Sequence, residues 1–371
     1  MARELHGFKA WPQNPVALAT ERVVQMYHEG FAGAYQDPEE SDALDHSIVA
    51  AGGDPDGAAT AERYGFAGSG SGKLVLLYPA VVKCYGLRAL TKPGQQTGDC
   101  VSMMIRDLGL KTICLEDQSG LPDEASGKVE KAPQVSDTAA ANGVFSNEGV
   151  YLSRGHNDQG MSCSQGIRYV TTQSGLVIRQ KYEQADLERY NVNFELRGRN
   201  GSPSWLNEIG RQHPIRQVTR PKGYEAARDF MHQGKATGVC SGLSFSDQRD
   251  QYGHSQRTAR GWAHAWHFAG YDDRPEAIQH FGEPQILAGH RWAIWNRGGR
   301  EIFQSADYVP SGERQLWETL GLCSATTGNI LIPEGYWWFN ASLASRCDIY
   351  SVSGATGWAA KTLPDYSPGA R

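Results

Sequence analysis

Residues 262–272 read WAHAWHFAGYD, an apolar and aromatic run that contains two histidines. The run predicts a buried β-strand over residues 263–271. Histidine titrates near neutral pH and often acts as a catalytic base, but a histidine in an apolar strand is also a common structural residue. This run alone therefore does not distinguish a catalytic base at His264 from a structural histidine.

The spacing of His264 and His267, HxxH, is compatible with a pair of metal ligands. A protein zinc site needs at least a third ligand, and none follows at a recognisable spacing. We therefore expect no metal site, and nothing in the sequence indicates another cofactor.

Cys100 is the cysteine whose setting suits a nucleophile. It lies in residues 95–105, QQTGDCVSMMI, and the apolar residues between 101 and 108 fall on one helical face. Cys100 is thus predicted to open a helix, with Gly109 positioned to end it. A helix N-terminus favours a thiolate, although a lone cysteine is more often a small buried apolar residue.

Composition excludes several classes of function. The chain has 371 residues, of which 40% are hydrophobic and 21% charged, as in globular proteins. The net charge of −5 comes from interspersed acidic and basic residues, so we expect no nucleic-acid partner. The best apolar run, residues 74–82, is about half as long as a membrane span and is predicted as a strand, so we expect no membrane partner.

The seven cysteines are scattered and form no CxxC pair, which indicates neither a zinc ribbon nor a disulfide lattice. Residues 1–15 lack the apolar segment of a secretory signal. Together these features predict a protein of the cytoplasm, which is a reducing compartment.

Residues 1–66 are interpreted as an N-terminal extension with one helix over 16–27. GSGSGK at residues 68–73 resembles a phosphate-binding loop, but Ala67 and Leu74 stand where that motif needs Gly and Ser or Thr. Residues 116–147 are polar and predict a long loop or insertion. Short helices are predicted over residues 164–173 and 225–232, and strands over residues 237–243, 263–271, 290–295, 336–340 and 347–352.

Four segments resemble the papain family of cysteine peptidases, in the family's order. Residues 95–105 resemble the start of its central helix, with glutamine, glycine and the active-site cysteine. Residues 158–182, DQGMSCSQGIRYVTTQSGLVIRQKY, resemble its substrate-facing segment, with Gly160 at the position of the cleft glycine. Residues 262–272 resemble its histidine signature, and residues 290–299, HRWAIWNRGG, resemble the strand that ends in the family's asparagine.

The resemblance implies an α+β fold, in which a helical half packs against an antiparallel, β-barrel-like half with the active-site cleft between them. The helical half would span residues 67–235, with Cys100 and the 116–147 insertion, and the β-rich half residues 236–371. Cys100 would be the nucleophile, His264 the base and Asn296 the residue that orients the histidine. Gly160 would line the substrate cleft.

Some features depart from the family's pattern. The family places its oxyanion-hole glutamine one position earlier than Gln95, so Gln95 and Gln96 are both candidates, of which we favour Gln95. Asp99 would oppose a thiolate at Cys100 unless its carboxylate caps the helix, which we expect. Thr97 stands where one of the family's disulfide cysteines would be, which agrees with a reducing compartment.

The implied activity is hydrolysis of peptide bonds in a peptide or protein substrate. One alternative is a structural or interaction component of a large assembly, such as a phage particle, that keeps the fold with or without the activity and is incorporated into the virion. A second alternative is a peptidoglycan amidase or endopeptidase, or a transglutaminase-like acyltransferase. The WAHAWHFAGYD segment weighs against this second alternative.

Overall fold

The computed structural model describes residues 34–35, 71–90, 95, 97–119, 132–156, 159–250, 252–259, 264–290, 300–301, 331–333 and 335–355. Within these residues the strands are β1 (Ala34–Tyr35), β2 (Leu74–Leu76), β3 (Met161–Ser162), β4 (Ile215–Thr219), β5 (Ala236–Ser241), β6 (Phe245–Arg249), β7 (Ser255–Arg257), β8 (His264–Asp272), β9 (Gln285–Gly289), β10 (Arg300–Glu301), β11 (Leu331–Ile332), β12 (Tyr336–Asn340) and β13 (Cys347–Ala355). The helices are α1 (Tyr78–Tyr85), α2 (Cys100–Ser119), α3 (Asp137–Ala141), α4 (Glu148–Leu152), α5 (Cys163–Arg168), α6 (Val192–Glu195), α7 (Ser204–Gly210), α8 (Gly223–His232) and α9 (Pro275–Phe281). Short 3₁₀ helices cover Leu87–Leu90, Gly198–Asn200 and Ala341–Arg346, and a π-helical turn covers Tyr169–Gln173.

The main sheet has seven strands in the order β12-β9-β8-β5-β13-β4, with β2 pairing to β8. All of these pairings are antiparallel. The predicted α+β fold is therefore confirmed. Among the described residues the end strands β12 and β4 do not pair with each other, so the sheet is open and does not form the expected barrel-like half.

The central helix α2 packs across β5, β8 and β13. Gly238 in β5 permits this approach, since a Cβ atom there would lie 2.8 Å from Cδ1 of Leu108 and would also overlap Met104. Helix and sheet thus bury one shared core, and the first residue of α2 lies close to the start of β8.

Helix α2 does not end at Gly109, where the sequence predicted its end. A Cβ atom at position 109 would lie only 2.6 Å from Cδ1 of Leu176, so this glycine serves close packing and not termination. The helix continues to Ser119, and α3 begins at Asp137. The predicted 116–147 loop is therefore shorter than expected at both ends, and residues 120–131 lie outside the described residues.

The strand predicted over residues 74–82 is confirmed only for β2, because the chain turns into α1 directly afterwards. Pro79 lies in the first turn of α1, where its fixed φ and missing N–H suit a helix start. The helices predicted over residues 164–173 and 225–232 are confirmed.

The strand predicted over residues 336–340 is confirmed as β12, and β13 contains the strand predicted over residues 347–352. The predicted helix over 16–27 and residues 291–295 of a predicted strand lie outside the described residues. Of the helices that the structure describes, none combines the length and apolar character that a bilayer crossing requires.

Candidate active site

Cys100 is the first residue of the twenty-residue helix α2. Its sulfur accepts a hydrogen bond from the backbone N–H of Ala265, which directly follows His264 in β8. The candidate nucleophile and the candidate base therefore come from two elements that meet at this point.

Cys100 is fully buried, which contradicts the expectation that it faces an open cleft. Burial raises the pKa of its thiol well above the ordinary value, and the neighbouring charge of Asp99 raises it further. The hydrogen bond from Ala265 acts in the opposite direction but does not outweigh burial. The resting form of Cys100 is consequently the neutral thiol, whereas we had expected an activated thiolate.

His264 opens β8 and is also fully buried. Its ring centroid lies 4.7 Å from that of His290, and the two ring planes are 84° apart. The Trp266 ring lies 6.2 Å from it on the same strand. The candidate base is thus held among rings, in a setting where a small rotation of the imidazole would be resisted by packing.

Gln95 is linked to this cluster through His290. Its Oε1 atom lies 3.1 Å from Nε2 of His290, and its Nε2 atom donates to the carbonyl of Thr97 at 2.7 Å. Both Gln95 and His290 are buried. Sequence reasoning nominated Gln95 but assigned no role to His290, because the contact joins residues 195 positions apart and leaves no local pattern.

Gly160 lies against the loop that precedes Cys100. The φ of Gly160, +83°, is in the region that favours glycine. A Cβ atom on Gly98 would lie 2.6 Å from the backbone nitrogen of Gly160. Gln159 stabilises this contact, because its side-chain oxygen accepts a hydrogen bond from the N–H of Gly98 at 2.6 Å. Gly160 is therefore adjacent to the loop that precedes the candidate nucleophile, while Asn296 and Gln96 lie outside the described residues.

His267 belongs to a different cluster from His264. It pairs in the sheet with Gly238, whose open face meets α2, and its Nδ1 atom lies 3.4 Å from Oδ2 of Asp107 on that helix. His264, by contrast, has ring contacts with His290 and Trp266. In the part of the chain that the structure describes, no three His, Cys, Asp or Glu side chains are grouped as metal ligands would be.

Asp99 does not use its side chain as the expected helix cap. Its Oδ2 atom accepts hydrogen bonds from Tyr190 at 2.9 Å and Asn147 at 3.1 Å, and both donors also bond to Glu195. Burial raises the pKa of Asp99 to about 7, and burial together with the charge of Asp99 raises the pKa of Glu195 well above its ordinary value. The residue before the candidate nucleophile thus belongs to a buried network of acids, which no pattern in the sequence predicts.

Cys163 and Cys240 form a disulfide bond, although the scattered cysteines indicated no disulfide lattice. The bond joins α5 to β5, and Cys240 pairs in the sheet with Ala265. It therefore links α5 covalently to β5, the strand that pairs with β8 at the candidate site. The two cysteines are 77 residues apart, and no motif in the sequence indicates their pairing.

Comparison with known proteins finds no matching family model and no matching curated protein. Solved papain-like cysteine proteases have similar folds. Xylellain, a cysteine protease from Xylella fastidiosa, is 11% identical with a TM-score of 0.45, covering 95% of this chain and 98% of that one. The Amb a 11 cysteine protease, a major ragweed pollen allergen, in its proform, is 13% identical with a TM-score of 0.40, covering 88% and 75%. Digestive procathepsin L 3 of Tenebrio molitor larval midgut is 10% identical with a TM-score of 0.35, covering 86% and 94%.

Proposed function

We propose that this chain is a papain-like cysteine peptidase that hydrolyses peptide bonds through Cys100 and His264. The observation that carries the proposal is the hydrogen bond between the Cys100 sulfur and the N–H of Ala265, at the N-terminus of α2. This hydrogen bond places the Cys100 sulfur beside Ala265, the residue that follows His264. A cysteine and a histidine that act together are the minimal unit of thiol catalysis.

In the proposed reaction the Cys100 sulfur bonds to the substrate carbonyl carbon while the thiol proton passes to His264. The backbone N–H of Cys100 and an amide N–H of Gln95 stabilise the oxyanion. The C–N bond then breaks as His264 returns the proton to the leaving amine. A water molecule loses a proton to His264, its oxygen bonds to the acyl carbon, and the departing sulfur takes that proton back.

The burial of Cys100 affects the order of these steps. Because burial raises the pKa of the thiol, a thiolate does not accumulate before substrate binds. Proton transfer to His264 therefore accompanies the attack, and the substrate has to gain access to a residue that is covered in this structure.

Hydrolysis of fluorescein-labelled casein and of a mixed peptide library tests the proposal. Cys100→Ala and His264→Ala should each reduce the rate to background, while Cys84→Ala, which changes another cysteine outside the disulfide, should retain it. Equal rates for the wild-type protein and Cys100→Ala would refute the proposal.

The same burial favours a second candidate function, a structural component of a large assembly that uses this fold. A structural protein has no need of an accessible thiol, and a buried cysteine packs well as a small apolar residue. A wild-type protein that is folded by circular dichroism but hydrolyses neither casein nor the peptide library would support this second function.

A further inference from the structure

We propose that His290 orients the ring of His264, with Gln95 fixing the tautomer of His290. The role in catalysis rests on the proposed function, whereas the orientation itself does not. Asn296, which the sequence nominated for this task, lies six positions beyond His290 in the chain.

The contact between the two rings is the first support. Their centroids are 4.7 Å apart at 84°, so the edge of one ring meets the other. Perpendicular contacts of this kind are a preferred geometry for paired rings, and both side chains are buried. Rotation of His264 about χ2 would therefore displace its neighbour.

The tautomer of His290 follows from the amide of Gln95. The Nε2 atom of Gln95 donates to the Thr97 carbonyl at 2.7 Å, which leaves Oε1 to face His290 at 3.1 Å. A carbonyl oxygen only accepts hydrogen bonds, so Nε2 of His290 carries a proton. In the neutral ring Nδ1 is then unprotonated, which makes it the His290 ring atom able to accept a hydrogen bond.

The backbone of His290 is also held in place by a hydrogen bond. Its N–H donates to the carbonyl of Gly335 at 3.0 Å. The preceding residue, Gly289, is the last residue of β9 and pairs with both His267 and Tyr336. The orienting ring is thus held by the sheet that also carries His264, which is the rigidity that positioning requires.

Two measurements test the proposal. In protein labelled with ¹⁵N-histidine at about pH 8, the His264 ring nitrogens, assigned through His264→Ala, should show one tautomer. His290→Ala should average their shifts, and His290→Asn, which supplies an amide acceptor, should restore the single tautomer. In the casein assay His290→Ala should lower kcat on the order of 10²-fold with little change in KM, and His290→Asn should recover at least part of the loss.

His280→Ala is the matched control, because His280 is an exposed histidine on α9, between β8 and β9 in the chain. It should change neither the spectrum nor kcat. The proposal is overturned if His290→Ala leaves the His264 shifts unchanged, or if Asn296→Ala rather than His290→Ala lowers kcat. Should the wild-type protein hydrolyse nothing, the ¹⁵N spectrum still decides the orientation of His264 by itself.

Discussion

Asp99 and Glu195 both lie within hydrogen-bond distance of the Tyr190 hydroxyl, at 2.9 Å and 2.8 Å respectively. A phenol has a single proton and can donate to only one of them. The other contact is a hydrogen bond only if that carboxyl group itself carries a proton. The geometry therefore indicates that this pair of acids retains one proton beside Cys100, in agreement with the raised pKa of both groups.

Asp99→Asn should make the stability of the protein less dependent on pH. The pKa of Asp99 rises from 3.8 to about 7 on folding, so the folded protein binds a proton that the unfolded chain has released between these values. The protonated Asp99 therefore stabilises the folded protein fully below about pH 4. As the pH rises from 4 towards 7 the free energy of unfolding falls, by at most about 1.4 kcal/mol per pH unit. Asparagine mimics the protonated acid, so the variant should gain stability relative to the wild type over that range.

Urea unfolding at several pH values between 4 and 8 measures this difference. Asp186→Asn, at an exposed aspartate, is the control and should leave the slope unchanged. A constant difference between Asp99→Asn and the wild type across the range would show that the pair retains no proton.

Removal of the disulfide by the double change Cys163→Ala and Cys240→Ala should lower the free energy of unfolding by about 2–4 kcal/mol, because the bond closes a long loop in the unfolded chain. Thermal unfolding with and without dithiothreitol measures the loss. The reductant should lower the Tm of the wild type and leave that of the double variant unchanged. A wild type whose Tm stays constant after verified reduction of the bond would contradict this expectation.

Gly238→Ala should destabilise the protein by about 1–3 kcal/mol, because the added methyl group overlaps Met104 and Leu108 of α2. Gly242→Ala is the matched control, since nothing lies within 4 Å of a Cβ atom at that exposed position. The control should change stability by less than about 1 kcal/mol. Equal effects in urea unfolding would mean that α2 does not approach β5 as closely as described.

The fold was predictable where local patterns determine it. The aromatic run over residues 336–340 is a strand with the predicted bounds, and Cys100 opens a helix as the apolar face after it indicated. Gly109 misled the prediction because a glycine's local signal is the same whether it ends a helix or, as here, makes room for Leu176. The strand predicted over residues 74–82 was too long because the apolar run continues across the change from β2 to α1, where Pro79 lies in the first turn of the helix.

The surroundings of the site were not predictable in the same way. Cys100, His264 and Gly160 were nominated through ordered motifs, and the structure brings their segments together. The contacts of His290 with Gln95 and of Asp99 with Tyr190 join residues 195 and 91 positions apart. Such contacts depend on how helices and sheet pack, and a single sequence shows no periodicity or motif for them.

Gln95→Ala should lower turnover of casein on the order of 10²-fold, if its amide donates to the oxyanion. Gln95→Glu separates the two roles of this residue, because it keeps an acceptor for His290 but has no N–H to donate. The oxyanion role requires Gln95→Glu to be as slow as Gln95→Ala, whereas recovery of turnover would leave only the contact with His290. If Gln96→Ala is the slow variant and Gln95→Ala is not, Gln96 is the oxyanion donor.

The central claim is that Cys100 and His264 act as one nucleophile–base pair, and modification of Cys100 by an epoxysuccinyl peptide tests it most directly. The rate at Cys100, followed by peptide mass spectrometry, should fall on the order of 10²-fold in His264→Ala and remain unchanged in His280→Ala. His280→Ala also removes an imidazole, an exposed one, and so controls for the loss of a histidine as such. A rate at Cys100 that is the same with and without His264, or modification of Cys84 and Cys347 while Cys100 stays intact, would contradict the account.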